Sequence, residues 1–353
     1  MKLIVAFVVL AGCDKPSPPS PPEAVRRDAG VVDASTITLE AAKLPGAIWF
    51  VDEGPPRRLS RLANGQRLDL AISGGDRFLF PSRSSLPDGR LVAIGSRGDG
   101  SAESEQLALI APDGKVTRIG PQAAMVRNPA VDPRGRWIVV DANLDGHSDL
   151  YRIDLDTQQS TRITNDPQGN FSPTSLGADA IAFASSRDGD SEIYRMPVAG
   201  GKPQRLTAFH RDDLLPSASP DGKTIAFHSD REGPERIFLM EPDGTRQRRL
   251  TRLADEQGEV DVVWSRDGKR LAYLVERRGV RHVWLRELAT GLERELTPDG
   301  ASDLEPSFSP DGAWLVVSRT IGGKDDLWAI AIADGTQLQI TDGGGAERLP
   351  RWH

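Results

Sequence analysis

The chain is poor in the residues that most often announce a function. Among 353 residues there is one cysteine, and aromatic side chains make up 6%. A single thiol excludes an intramolecular disulfide framework and any zinc site built on two or more cysteines. A basic excess is missing too. Lys and Arg number 44 against 51 Asp and Glu, and a formal charge of −7 argues against a nucleic-acid binder. No apolar run approaches the roughly 20 residues that a membrane-crossing helix needs. No helical period of useful length appears, so the core has to be built from small and β-branched side chains in strands. The P-loop, dinucleotide-binding and Gly-x-Ser-x-Gly signatures are absent. The five histidines (His147, His210, His228, His282, His353) share no metal-ligand spacing. What the chain has in quantity is glycine (35) and proline (26), and both fall in a pattern.

The first pattern is an address. Met1-Lys2 is a short basic start, Leu3 to Leu10 is continuously apolar, and Ala11-Gly12-Cys13 follows. Such a run is too short to span a bilayer and fits a secretory signal with small residues before the cut. Leu10-Ala11-Gly12-Cys13 resembles the bacterial lipobox, which implies cleavage before Cys13 and lipid on its sulfur. Several acyl chains would hold the protein stably on a membrane, where one would not. Residues 1–12 are therefore expected to be a lipoprotein signal peptide and 13–46 a lipid-anchored tether. The tether's Lys15-Pro16-Ser17-Pro18-Pro19-Ser20-Pro21-Pro22 favours extended polyproline II, a semi-rigid spacer.

The second pattern is a repeat. Six segments share a form such as "PSASPDGKTIAFHSDREG" from Pro216 and "PSFSPDGAWLVVSRTIGG" from Pro306. Their turn glycines, Gly89, Gly135, Gly222, Gly268 and Gly312, recur at about 44 residues, with one degenerate turn near Gly177. Each repeat reads as four strands. The first ends in a Ser-Pro-Asp-Gly turn or a variant of it. The second is a continuous apolar run such as Trp314-Leu315-Val316-Val317, which suits burial on both faces. The third alternates, as in Glu192-Ile193-Tyr194-Arg195-Met196. The fourth ends in Leu-Thr or Ile-Thr, at Thr164, Thr207, Thr251, Thr297 and Thr341. Residues 47–71 supply only three strands of a further repeat, and Arg348-Leu349-Pro350-Arg351-Trp352 mimics the missing first one. The expected fold is all-β: residues 47–353 form a β-propeller of seven four-stranded blades, with N- and C-terminal strands sharing a blade. Closure of this kind leaves no free sheet edge.

The six spaced copies from Phe80 onward resemble the TolB-type β-propeller repeat. That family's familiar propellers have six blades, so six is the alternative count. It also carries an α/β domain before its propeller, and residues 14–46 are too short and Pro-rich to hold one, which puts a Tol–Pal role in doubt. The resemblance implies a non-catalytic, extracytoplasmic protein-binding platform of the bacterial cell envelope. It would be a monomer, bound to the membrane through its lipid and partnered by other envelope proteins. The alternative is a propeller-type hydrolase or lyase with an active site in the central channel. A hydrolase domain after the propeller, as in prolyl-oligopeptidase-like enzymes, has no room before His353.

Two sets of residues are candidates for a site. Asp141, Asn143, Asp145 and Asp149, with the His147 carbonyl, resemble the calcium-binding hairpin loop of integrin-type propellers. Oxygen ligands at alternating positions suit a hard cation, although an Asp145-Gly146 hairpin turn explains the same letters. The second set stands three residues before each first-strand Pro or its equivalent: Phe78, Val126, Asn170, Asp213, Glu259, Asp303 and Glu347. Equivalent repeat positions form a ring, so Asn170, Asp213, Glu259, Asp303 and Glu347 are expected at one channel mouth. There they would attract a cation or a basic peptide, unless they are merely solvated loop caps.

Overall fold

The second strand of each repeat has no polar face, and that fact organises the molecule. The computed structural model describes residues 43–54, 57–70, 76–98, 103–251, 258–298, 300–342 and 346–353. The expected signal peptide and nearly all of the expected tether lie outside them. Every strand described belongs to one of seven four-stranded antiparallel sheets. In the second strand Trp137–Asn143, residues Ile138, Val140 and Ala142 pack toward the preceding sheet. Trp137 and Val139 pack toward the following one, against Ile181 and Phe183. All five are at most 1% exposed. Side chains alternate across a strand, so a strand buried on both faces must be apolar throughout. The core is accordingly divided into seven clusters, each lying between two neighbouring blades.

The seventh blade's worth of chain comes from both ends. Strand Glu347–Trp352 pairs antiparallel with Ala47–Asp52, joining Ile48 to Trp352 and Asp52 to Glu347. Ala47 N donates to His353 O at 2.7 Å, and His353 N returns the bond to Ala47 O at 2.8 Å. The Trp352 indole donates to Pro45 O at 2.5 Å. Gly46, at φ +76°, must be glycine here, since a Cβ would lie 2.4 Å from His353 O.

The Ser-Pro-Asp-Gly turns reverse the chain between first and second strands. Gly222 N donates to Ser219 O at 2.8 Å, while Asp221 Oδ1 accepts from Ser219 Oγ and Lys223 N. The first strands contact one another around the ring and so line its axis. Six of them slip register by a β-bulge at the same place, at a residue of positive φ: Asn128, Ser172, Leu215, Asp261, Glu305 and Leu349. None is glycine, and five precede proline, so the bulge is held by the packing around it rather than by local preference. Among the described residues no helix is long and apolar enough to cross a membrane.

Candidate functional site

The acids expected at the channel mouth open the innermost strands, but they point into protein. Asn170, Asp213, Glu259 and Asp303 are wholly buried, and Glu347 is 1% exposed. Val126 is buried as well, and the Phe78 side chain lies outside the described residues. A buried carboxylate needs a cation or several donors, and each of these has them. Arg231 donates to Asp213 at 2.6 Å. Arg319 grips Asp303 through Nε at 2.7 Å and Nη2 at 3.2 Å. Arg187 donates to the Asn170 carbonyl at 2.6 Å. Arg67 reaches Glu347 at 3.3 Å, and Arg236 and Arg249 lie 3.6 and 3.7 Å from Glu259. The groups expected at a channel mouth are thus placed inside the protein, each beside an arginine. Arg187, Arg231 and Arg319 reach them from the second strands of the same blades or just after them, and Arg67 from the outermost strand of its blade, whereas Arg236 and Arg249 reach Glu259 from the preceding blade.

Those arginines were not singled out in the sequence, although their signal was there, in Ser-Ser-Arg187, Ser-Asp-Arg231 and Val-Ser-Arg319 just after the apolar strands. Each also lies over rings: Arg187 over Phe183 and Tyr194, Arg231 over Phe209, Phe227 and Phe238, Arg319 over Trp328. A guanidinium is well suited to this double role, with a planar fork for the carboxylate and a weakly hydrated face for the ring. The recurrent Leu-Thr ending is explained in the same way. Thr207 Oγ1 accepts from Ile193 N at 2.9 Å and donates to Glu192 at 2.5 Å. Thr164 does this between Leu150 N and Asp149, and Thr341 between Leu327 N and Glu347.

One of these buried acids titrates in an accessible range. Burial pushes the Glu347 carboxyl up to about 7 from 4.5, against the pull of Thr341 and Arg67. A raised carboxyl binds its proton more tightly in the folded state. Its stabilisation is complete below about pH 4.5 and is lost as pH rises through about 7. Glu347→Gln stays neutral. It is expected to match the parent near pH 4.5 and to exceed it by about 3 kcal/mol near pH 8. Urea melts across that range check this, and a pH-independent difference would refute it.

The calcium-like loop is also drawn into the structure piece by piece. Asp141 is buried, accepts from Asn128 Nδ2 at 3.0 Å and Ser172 N at 3.2 Å, and is pushed by burial up to about 6. Asn143 Oδ1 caps the turn by accepting from Gly146 N. Arg162 binds both Asp145 and Asp149, and Asp149 also takes Thr164 and Asn170. The four are not gathered round one point. Among the described residues no three His, Cys, Asp or Glu side chains are placed to hold a metal.

Farther along the innermost strands two charged side chains stay partly open to solvent. Arg83, on the second blade, donates to Asp261 on the sixth and to Val262 O at 3.3 Å. The first and seventh blades stand between those two in the ring, so the pair reaches across the axis. Its side chains are 39% and 26% exposed. Beside it, Glu305 accepts from Leu349 N at 2.5 Å and burial pushes its carboxyl up. Burial pushes Arg351 down to about 10, and its Nε has no hydrogen-bond partner. The site therefore offers both charges at one depth of the channel. Arg83 stands two residues after Pro81, Asp261 just before Val262, Glu305 just before Pro306 and Arg351 just after Pro350, so no shared sequence position marked them.

Comparison with known proteins agrees with this architecture. The TolB β-propeller domain family matches residues 65–258 and 170–353. A protein described as a TolB homolog from Chlorobium chlorochromatii is 30% identical over 132 residues, 37% of this chain and 29% of its own length. The matched stretches cover about a third or less of the curated relatives. TolB from Acinetobacter baumannii shares the fold at TM-score 0.56 and 22% identity, over 87% of this chain and 66% of that one. An oligogalacturonate lyase from Vibrio parahaemolyticus does so at 0.57 and 14%, over 83% and 85%.

Proposed function

Because the chain belongs to the TolB β-propeller family, we propose that it is a non-catalytic binding platform of the bacterial cell envelope. It is carried on a lipid at Cys13 and takes a partner protein at the axis of its ring. The observation that carries this reading is the Arg83–Asp261 pair, which spans the axis and stays partly open to solvent. The acids of the repeat are buried beside arginines, so these two are charges that an incoming segment can claim. A partner supplying a carboxylate to Arg83 and a cation to Asp261 would exchange one ion pair for two. Charge complementarity of this kind governs encounter rate and register more than bulk affinity. Residues 13–46, as an extended Pro-rich tether, would let the ring stand up to about 100 Å from the membrane. The lyase shares this chain's fold at low identity, which bears on architecture alone.

The test is affinity capture from detergent-solubilised membranes with the lipidated protein. Arg83→Glu and Asp261→Lys each leave two like charges facing across the axis. Each is expected to weaken retention of the captured partner at least about tenfold. Undiminished capture by both variants would overturn the reading of the site. Loss of labelled fatty acid incorporation in Cys13→Ala is expected in the same strain, and retained labelling would overturn the anchor.

A further inference from the structure

The blades are near copies, so a space filled in one and empty in another is informative. In the fifth blade, Arg231 bonds Asp213 and Gln247 and lies over Phe238 at 4.7 Å. Phe227 lies under it at 5.3 Å, and a third ring, Phe209, comes from the loop entering the blade and lies 5.0 Å from the same guanidinium. In the seventh blade, Arg319 arises two residues earlier in its repeat yet makes the same set of contacts, with Asp303, Gln337 and Trp328 at 5.0 Å. The entering stretch has the same length in sequence, and no aromatic residue stands between Thr297 and Asp303.

A groove of about 660 Å³ lies along the flank of the seventh blade, walled by Gly300, Ala301, Ile321, Gly322, Trp328 and Gln337. That volume is in the range of small-molecule sites. Ile321 is half exposed at its rim. Trp328 Nε1 is buried and has no hydrogen-bond partner. A buried indole N–H normally finds an acceptor. We propose that this groove binds a planar aromatic group bearing a hydrogen-bond acceptor. The ring takes the place that Phe209 fills two blades away, and the acceptor meets Trp328 Nε1. The chemistry is that of a phenol or a similar aryl compound, and it is independent of the axial site.

Titration of the whole ¹⁵N-labelled protein with p-cresol tests it. The indole N–H resonance of Trp328, assigned by its loss in Trp328→Phe, is expected to shift and saturate with a dissociation constant of about 1 mM. Ala301→Phe, which fills the groove, is expected to abolish the shift while the protein stays folded. An unmoved Trp328 resonance at about 10 mM, or an unchanged response in Ala301→Phe, would overturn the proposal.

Discussion

Removal of Glu347–His353 is expected to abolish the cooperative unfolding transition of the propeller. The segment supplies the innermost strand of the first blade, and its loss leaves the backbone of Ala47–Asp52 unpaired on that side. It also removes Trp352, which is 5% exposed and belongs to the cluster joining first and seventh blades. Truncating a buried Trp alone costs about 3–5 kcal/mol, a large share of the 5–15 kcal/mol that usually holds a domain together. The graded variant Trp352→Ala is accordingly expected to lower stability by that amount while keeping one transition. Thermal and urea melts followed by circular dichroism decide it. A truncated chain that melts where the parent does would mean that the ring is not closed by this strand.

Replacement of Arg319 by Met is expected to cost about 3–5 kcal/mol, because it removes the guanidinium that grips the wholly buried Asp303 carboxylate. The double variant Arg319→Met, Asp303→Leu removes the need for a counter-charge and is expected to recover most of that loss. The sign of the coupling is what matters. Two losses that simply add would show that the pair does not act as a unit. Recovery would establish that the acid and its arginine contribute little net stability over a packed apolar pair.

Much of the ring was legible in the sequence because its devices are local. A Pro-Asp-Gly turn, an unbroken apolar run such as Leu271-Ala272-Tyr273-Leu274 and a closing Leu-Thr each sit within a few residues. Their spacing alone predicts seven sheets. The Arg348 to Trp352 segment could be assigned to the first blade because it copies the opening of every other repeat. The candidate sites were less legible, for one physical reason. An acidic letter says nothing about which way the side chain faces. Asp213 and Asp303 are made internal by arginines 18 and 16 positions away. The run from Asp141 to Asp149 has a ligand-like spacing, but Arg162, 13 residues beyond Asp149, claims two of its carboxylates. The cross-axis pair was beyond reach, since Arg83 and Asp261 are 178 positions apart and meet only because the ring is closed.

That closure also imposes a timetable. Pro45 and Trp352, which meet in the finished molecule, are separated by 307 positions. Blades two to seven can form in order as the chain emerges, each on the edge of the last. The first blade must wait, holding three strands and an open edge until the strand at 347–352 arrives. Contacts of such separation are slow to form, and a waiting edge is a template for another copy of the same strand. In a crowded compartment the hazard is exchange of closing strands between two newly made chains. Anything that delays the arrival of residues 347–352 lengthens the interval in which that exchange can happen.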